Sequence, residues 1–382
     1  MKNSFELVPI DNICVIDKNQ NQWKNLPYVG MEDIESSTGK FIGSTNPRVV
    51  KSSTFSFDST HLLYGRLRPY LKKIFLPSFK GHCSTEIFPI KVKKEVDKKF
   101  LFYWFISDDV TDKINHTCTG ARMPRANMKE VMSFKIPLFS LSGQKRIVKI
   151  LDKAFTSIDK AKENAVKNLE NSKELFDSHL QSVFANPGKD WERKKLAEVA
   201  NLVDSLHKTP KYIQEGYPMV RVTDIKPGYL NLSKTKKVDK LTFDEFSKRH
   251  SPKIGDIVLS RVGSYGVSAI VNTNESFCLG QNTVFVIPKI DSKYFYYFLN
   301  SSHTKEQLDK MVSGTTQPTI SLKSIKEVLV PIPSVKEQKI IVQQFNACLA
   351  ETKKLEAIYM QKIEDLEELK KSVLQKAFNG KF

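Results

Sequence analysis

The side chains in this sequence best suited to chemistry are basic and aromatic, and they fall in short runs. Across residues 62–71 (LLYGRLRPYL), an extended backbone puts Tyr64, Arg66, Arg68 and Tyr70 on one face and Leu63, Gly65 and Leu67 on the other. Two guanidiniums and two phenols on one face suit phosphate contact and bidentate reading of guanine. Lys72 and Lys73 extend the patch. Further along, Arg221 lies in a strand-like run over 219–222, and Arg261 precedes a turn in which Ser264 and Tyr265 are flanked by glycine. Backbone amides between glycines can approach a phosphate or a base edge. Two loops, 120–125 (GARMPR) and 314–319 (GTTQPT), occupy matching positions; one carries Arg122 and Arg125, the other Thr315, Thr316 and Gln317. Equivalent loops with different hydrogen-bonding groups are what reading two different half-sites on a nucleic acid requires. Surface salt bridges on an exposed edge, or ordinary turn variation, account for the same residues equally simply.

Catalytic groups are harder to find. The chain has no Walker A loop, no GxGxxG opening a helix, no HExxH and no GxSxG. The Asn-Pro-Pro-aromatic tetrapeptide with which amino-methyltransferases hold a target base is missing too; Asn186, Pro187, Gly188 and Lys189 lack its second proline and its aromatic. Asp108 and Asp109 pair two carboxylates without a His or Lys pattern beside them, and read as solvated surface. Cys14, Cys83, Cys118, Cys278 and Cys348 never form a CxxC, so neither a disulfide scaffold nor a zinc site is expected. No cofactor is expected of this chain.

The elements that position these residues come in two copies. A shift of 194 positions lays Gln144 and Lys145 on Gln338 and Lys339, Leu180 and Gln181 on Leu374 and Gln375, and Phe184 on Phe378. The register needs no gap over 119–184 against 313–378, which marks a duplicated unit. Each copy closes in a long helix. Leu151, Phe155, Ile158, Ala161, Ala165, Leu169 and Ser172 step by three or four, as do Phe345, Leu349, Thr352, Leu355, Tyr359, Ile363 and Leu366. That is a narrow apolar seam between Lys- and Glu-rich faces. Roughly 43 residues at 1.5 Å each make a rod of about 65 Å, which needs a partner, and its own duplicate is the nearest. Packed antiparallel, the two rods would place the globular parts at opposite ends, related by an approximate two-fold axis. Such a rod suits half-sites one or two duplex turns apart, one turn being about 34–36 Å.

Ahead of each rod, short strand-like runs alternate with turns: residues 28–29, 62–71 and 85–90 in the first copy, and 219–222, 255–263 and 282–288 in the second. An aromatic segment follows in each, 100–105 and 294–299, reading as a buried helix, and then an apolar-proline strand, 134–137 and 328–333. The division expected is 1–140, first globular domain; 141–186, first long helix; 187–334, second globular domain; and 335–382, second long helix. The fold class is α+β with internal two-fold pseudo-symmetry.

Size and charge agree. The 382 residues leave room for two or three cored domains, and 60 basic against 42 acidic residues give a formal charge of +18. Such an excess favours a polyanionic partner, most often nucleic acid, although a generally Lys-rich proteome produces it too. The first ten residues lack the apolar core of a signal peptide, and no apolar run approaches the ~18 residues of a membrane span. A cytoplasmic protein without a membrane partner is expected.

These features resemble the specificity subunit of Type I restriction–modification systems, over nearly the whole chain. Carrying the resemblance are residues 62–73 (LLYGRLRPYLKK), 255–259 (GDIVL) and 330–340 (VPIPSVKEQKI), then a long helix ending in 374–378 (LQKAF). The Glu337-Gln338 entry to the second rod is clean, whereas Gly143 stands where Glu is usual in the first. The resemblance implies two target recognition domains, each reading half of a split site on double-stranded DNA. It implies helices that fix the spacer and dock two methyltransferase (modification) subunits, which carry S-adenosylmethionine, and ATP-driven restriction subunits joining that core. Such a subunit has no catalysis of its own. A non-catalytic basic helical scaffold and a stand-alone DNA methyltransferase are the other two readings.

Overall fold

A computed structural model describes residues 5–381 apart from Gln22, Lys24, Thr315 and Thr316. Packing divides the chain into two compact units. The first runs to Val166 and resumes at Met360; the second is Lys167–Tyr359. Each unit therefore takes part of both long helices, where the sequence division gave the helices segments of their own.

The first unit opens with a ribbon in which Glu6–Pro9 pairs antiparallel with Lys135–Leu138. Its main sheet has the order Cys14–Ile16, Ile87–Val92, His61–Gly65 and Ile74–Phe75, all antiparallel. All five residues of His61–Gly65 are buried, so this strand is covered on both faces, with the His61 ring held 2.9 Å from Asp58. A second sheet orders Gln20–Asn21, Thr54–Phe57, Gly81–Cys83 and Tyr28–Val29, the last pair parallel. The aromatic segment is the helix Lys98–Ile106. Asp97 caps it by accepting the N–H groups of Lys99 and Phe100, and Phe100 to Ile106 are all buried. Phe105 meets Tyr64 of the sheet with ring centres 5.0 Å apart, and Tyr103 meets Phe155 of the first long helix at 5.4 Å.

The second unit repeats this plan. Glu192–Lys195 pairs with Leu329–Ile332, and the main sheet runs Ala200–Asp204, Thr283–Pro288, Ile257–Ser260, Ser268–Ile270 and Gly228–Tyr229. Its smaller sheet is Lys236–Val238, Tyr217–Val220 and Cys278–Leu279. Asp291 caps the aromatic helix Ser292–Leu299 as Asp97 caps the first. The parallel pair of each small sheet is shared, but the added strands sit on opposite sides of it: beside Gly81–Cys83 in one unit, beside Tyr217–Val220 in the other.

The long helices are Leu141–Ala185 and Val335–Phe378. A buried glutamine pins each start. Gln144 accepts the Asp97 N–H (2.8 Å) and donates to the Phe139 carbonyl (2.8 Å); Gln338 accepts the Asp291 N–H (3.1 Å) and donates to the Pro333 carbonyl (2.9 Å). Of the seam residues, Leu151, Phe155, Ile158 and Phe345 are buried, while Leu169, Leu349, Leu355, Ile363 and Leu366 are half-buried. Within the first unit the helix segments run antiparallel: Asp159 accepts from Lys370 at 2.8 Å, and Lys162, one turn on, reaches back to Glu367. Within the second, Phe176, His179 and Phe184 surround the fully buried Phe345. The α+β class, the duplication and the pair of long helices are all present.

One element differs from expectation. The strand expected over 62–71 stops at Gly65, so Tyr64, Arg66, Arg68 and Tyr70 do not share a face. Tyr64 is in the core at 3% exposure, and Tyr70 is 51% exposed in a 3-10 turn, Pro69–Leu71. Proline at 69 removes a ladder donor and Arg68 takes the left-handed conformation (φ 49°, ψ 62°), which turns the chain out of the sheet.

Candidate nucleic-acid interface

In each unit the loop leaving the central strand lies against a second loop, held by the same backbone hydrogen bonds. In the first, the N–H groups of Arg66, Arg68 and Ala126 donate to the carbonyls of Glu86 (2.9 Å), Pro124 (2.8 Å) and Arg66 (2.9 Å). In the second, those of Arg261, Gly263 and Ile320 donate to Asn282 (2.9 Å), Pro318 (2.9 Å) and Arg261 (2.9 Å). The second loop of each pair is closed by reciprocal bonds, Thr119 with Arg125 and Ser313 with Thr319. Gly120 (φ 90°) and Gly314 (φ 89°) make the same left-handed turn. The loop pair is thus one backbone device used twice, and it superposes Arg66 on Arg261, Arg68 on Gly263 and Glu86 on Asn282.

The side chains on it differ. In the first unit Glu86 sits between two guanidiniums, with Arg66 Nε 3.1 Å from Oε2 and Arg125 Nε 2.9 Å from Oε1. Burial pushes the Glu86 carboxyl up, but the hydrogen bonds and charges of Arg125 and Arg66 outweigh it and hold the carboxyl below its usual range. Arg66 also lies over the Phe88 ring at 5.0 Å. Lys72 is bound to Asp108 and Lys73 donates to the Met31 carbonyl at 2.6 Å, so neither extends a free basic patch. Asp108 is correspondingly not an unpartnered surface acid. Arg68 and Arg122 are exposed, with no side-chain partner among the described residues.

In the second unit the expected cations are taken up internally. Arg221 forks Asp224 with Nε and Nη2 at 2.9 and 3.0 Å. Arg261 is only 8% exposed and lies 3.2 Å from Asp204. Ser264 is exposed at the turn, whereas Tyr265 donates to Asp309 at 2.7 Å beneath the Lys305 ammonium, 3.5 Å from its ring centre. Gln317 is exposed; Thr315 and Thr316 lie outside the described residues. Sequence spacing could not reveal the acids that claim these cations, since Glu86 is 20 positions from Arg66 and 39 from Arg125. The arrangement offers cations and hydrogen-bond donors to a polyanion. No group of three or more His, Cys, Asp or Glu among the described residues is placed to hold a metal ion, and no helix among them is long and apolar enough to cross a membrane.

The model of a family described as Type I restriction modification DNA specificity domain matches residues 5–168 and again 188–365. The type I restriction enzyme MjaVIII specificity subunit of Methanocaldococcus jannaschii is 26% identical, over 93% of this chain and 85% of its own length. Among solved structures, a chain from a study of complex assembly and conformational transition of the type I R-M system has a TM-score of 0.80 at 20% identity, covering 98% of this chain and 97% of its own. The HsdS subunit from Thermoanaerobacter tengcongensis has a TM-score of 0.69 at 20% identity, with 99% and 97% covered. At that identity the structural likeness concerns the fold.

Proposed function

The chain belongs to the Type I restriction modification DNA specificity family, with a specificity domain in each half, and from that premise we propose that it is the DNA-reading subunit of such a system, without catalysis of its own. Each half reads one part of a split site on duplex DNA. The long helices are assigned the spacer length and the docking of two modification subunits, which supply S-adenosylmethionine and the methyl transfer; restriction subunits complete the assembly. The observation that carries this reading is the duplicated loop pair, one backbone scaffold presenting Arg68 and Arg122 in one copy and Ser264 and Gln317 in the other. A reader of two unlike half-sites needs constant positioning and variable contact groups. The formal charge of +18 supplies the sequence-independent attraction to phosphate.

Footprinting of the full chain, alone and with its modification subunits, tests this over a range of salt. Two separated protected patches that fade as salt rises are expected. Co-purification of modification subunits with no footprint would leave a scaffold, and binding of S-adenosylmethionine by this chain alone would point to a methyltransferase.

A further inference from the structure

We infer that Arg68, with Arg122 beside it, is the base-reading residue of the first unit and is directed at guanine; this rests on the DNA-reading function above and names its contact chemistry. The other cations first marked on this loop pair are committed elsewhere. Arg66 and Arg125 share Glu86, Lys72 holds Asp108, and Lys73 holds a backbone carbonyl. Arg68 and Arg122 alone of that set are exposed and without a side-chain partner among the described residues. They stand on the two loops that the Arg68 N–H to Pro124 carbonyl bond ties together.

Among the described non-glycine residues with positive φ (Ser37, Arg68, Lys72 and Asn282), the one cation without a side-chain partner is Arg68. Its φ of 49° is a left-handed conformation that an L side chain adopts only under strain. The matching position in the second unit is Gly263, at φ 68°, with open space where a Cβ would be. Glycine is the residue that turn requires, and the first unit carries an arginine there instead. The strained residue is also pinned on both sides: its N–H donates to Pro124 and its carbonyl accepts from Leu71 at 2.9 Å. A phosphate contact needs only a charge and is met by a lysine on relaxed backbone. A guanidinium launched from a fixed backbone point gives the defined direction that bidentate contact with guanine O6 and N7 demands. Met123, 44% exposed and next to Arg122 on its loop, offers apolar contact to a neighbouring base.

Selection from a random-sequence duplex library, using the full chain with its modification subunits, tests this with R68G and R68K. The wild type is expected to select a split site with guanine at a fixed place in one half. R68G should lose that guanine preference by roughly 5- to 150-fold, the value of one bidentate contact, while the other half-site is unchanged. Its thermal midpoint should hold or rise, because glycine relaxes the φ of 49°. R68K should keep its salt-dependent affinity for random duplex and lose the guanine. An R68G that keeps the preference, weakens both half-sites equally, or melts well below the wild type overturns the inference and leaves the DNA-reading function standing. A wild type that selects no split site overturns both.

Discussion

Where the chain leaves the central strand, the first half has Arg68 at φ 49° and the second has Gly263 at φ 68°. Glu86 of the first half, gripped by Arg66 and Arg125, is answered by Asn282, which has no charge to give. Arg66 is part-exposed over a phenylalanine ring, whereas its counterpart Arg261 is buried against Asp204. Behind the loops, by contrast, the halves share several buried hydrogen bonds. Gln144 and Gln338 make the same two bonds, and Tyr103 donates to Asp152 (2.5 Å) as Tyr297 donates to Asn346 (2.7 Å). Buried polar groups cannot drift singly, because a lost partner leaves a desolvated donor or acceptor. Exposed loop side chains carry no such penalty. Duplication has therefore kept these helix-anchoring bonds while the side chains of the loop pair have diverged.

The strongest test of that division lies at the helix ends. Phe184 and Phe378 match at the 194-residue shift, yet Phe184 is 1% exposed among Tyr294, Phe298 and Phe345, while Phe378 is half-buried against Phe100. F184A should cost about 3–5 kcal/mol, and F378A about half of that or less. Urea unfolding measures both. Equal losses would show that the framework halves are closer in energy than their burial implies.

Glu86 gives a middle-sized effect confined to one half. E86Q leaves two guanidiniums without their carboxylate and should cost about 1–2 kcal/mol at neutral pH. Because folding lowers this carboxyl below the ordinary 4.5, its stabilisation is complete above that pH and is lost as pH falls through the folded value. The gap in thermal midpoint between wild type and E86Q should therefore close on acidification. A gap that stays constant to low pH would mean that the Glu86 charge is not what holds the loop pair together.

The helices were legible in the sequence because their signal is local. Apolar residues every three or four positions over more than forty residues, without proline or glycine after the first turn, leave few alternatives. The aromatic helices were legible for a similar reason, a dense apolar run; the aspartates that cap them came only with the structure. Residues 62–71 misled because alternation continues formally past Gly65, although Pro69 and the left-handed Arg68 end the strand. The fate of the cations was not legible at all. Whether Arg66, Lys72 or Arg261 is free depends on acids 20, 36 and 57 positions away, brought close only by sheet pairing or, for Lys72, by packing of the helix Asp108–His116 on the Pro69–Leu71 turn.

The smallest effect concerns the two helix starts, where the capping side chains differ. At the second helix start, Ser334 Oγ accepts the Glu337 N–H, and the Glu337 carboxylate accepts from Ser334 N–H (3.0 Å) and Oγ (2.8 Å). Those Ser334 bonds hold the Glu337 carboxyl below its usual range. At the first start, Ser140 Oγ accepts the Gly143 N–H at 3.3 Å, but Gly143 has no side chain to return a bond. G143E supplies the missing half of the capping box, removes a helical glycine and adds a negative charge to the first turn, all favourable. Against this, a Cβ at 143 would stand 3.2 Å from Phe139 Cβ and 3.3 Å from Ser140 Oγ, so both must give by a few tenths of an ångström. Three small gains against one tight contact predict a net rise in thermal midpoint of about 1–4 °C. A fall would show that the first entry has closed around its glycine, and that the two helix starts, alike in the two bonds that Gln144 and Gln338 share, are no longer interchangeable.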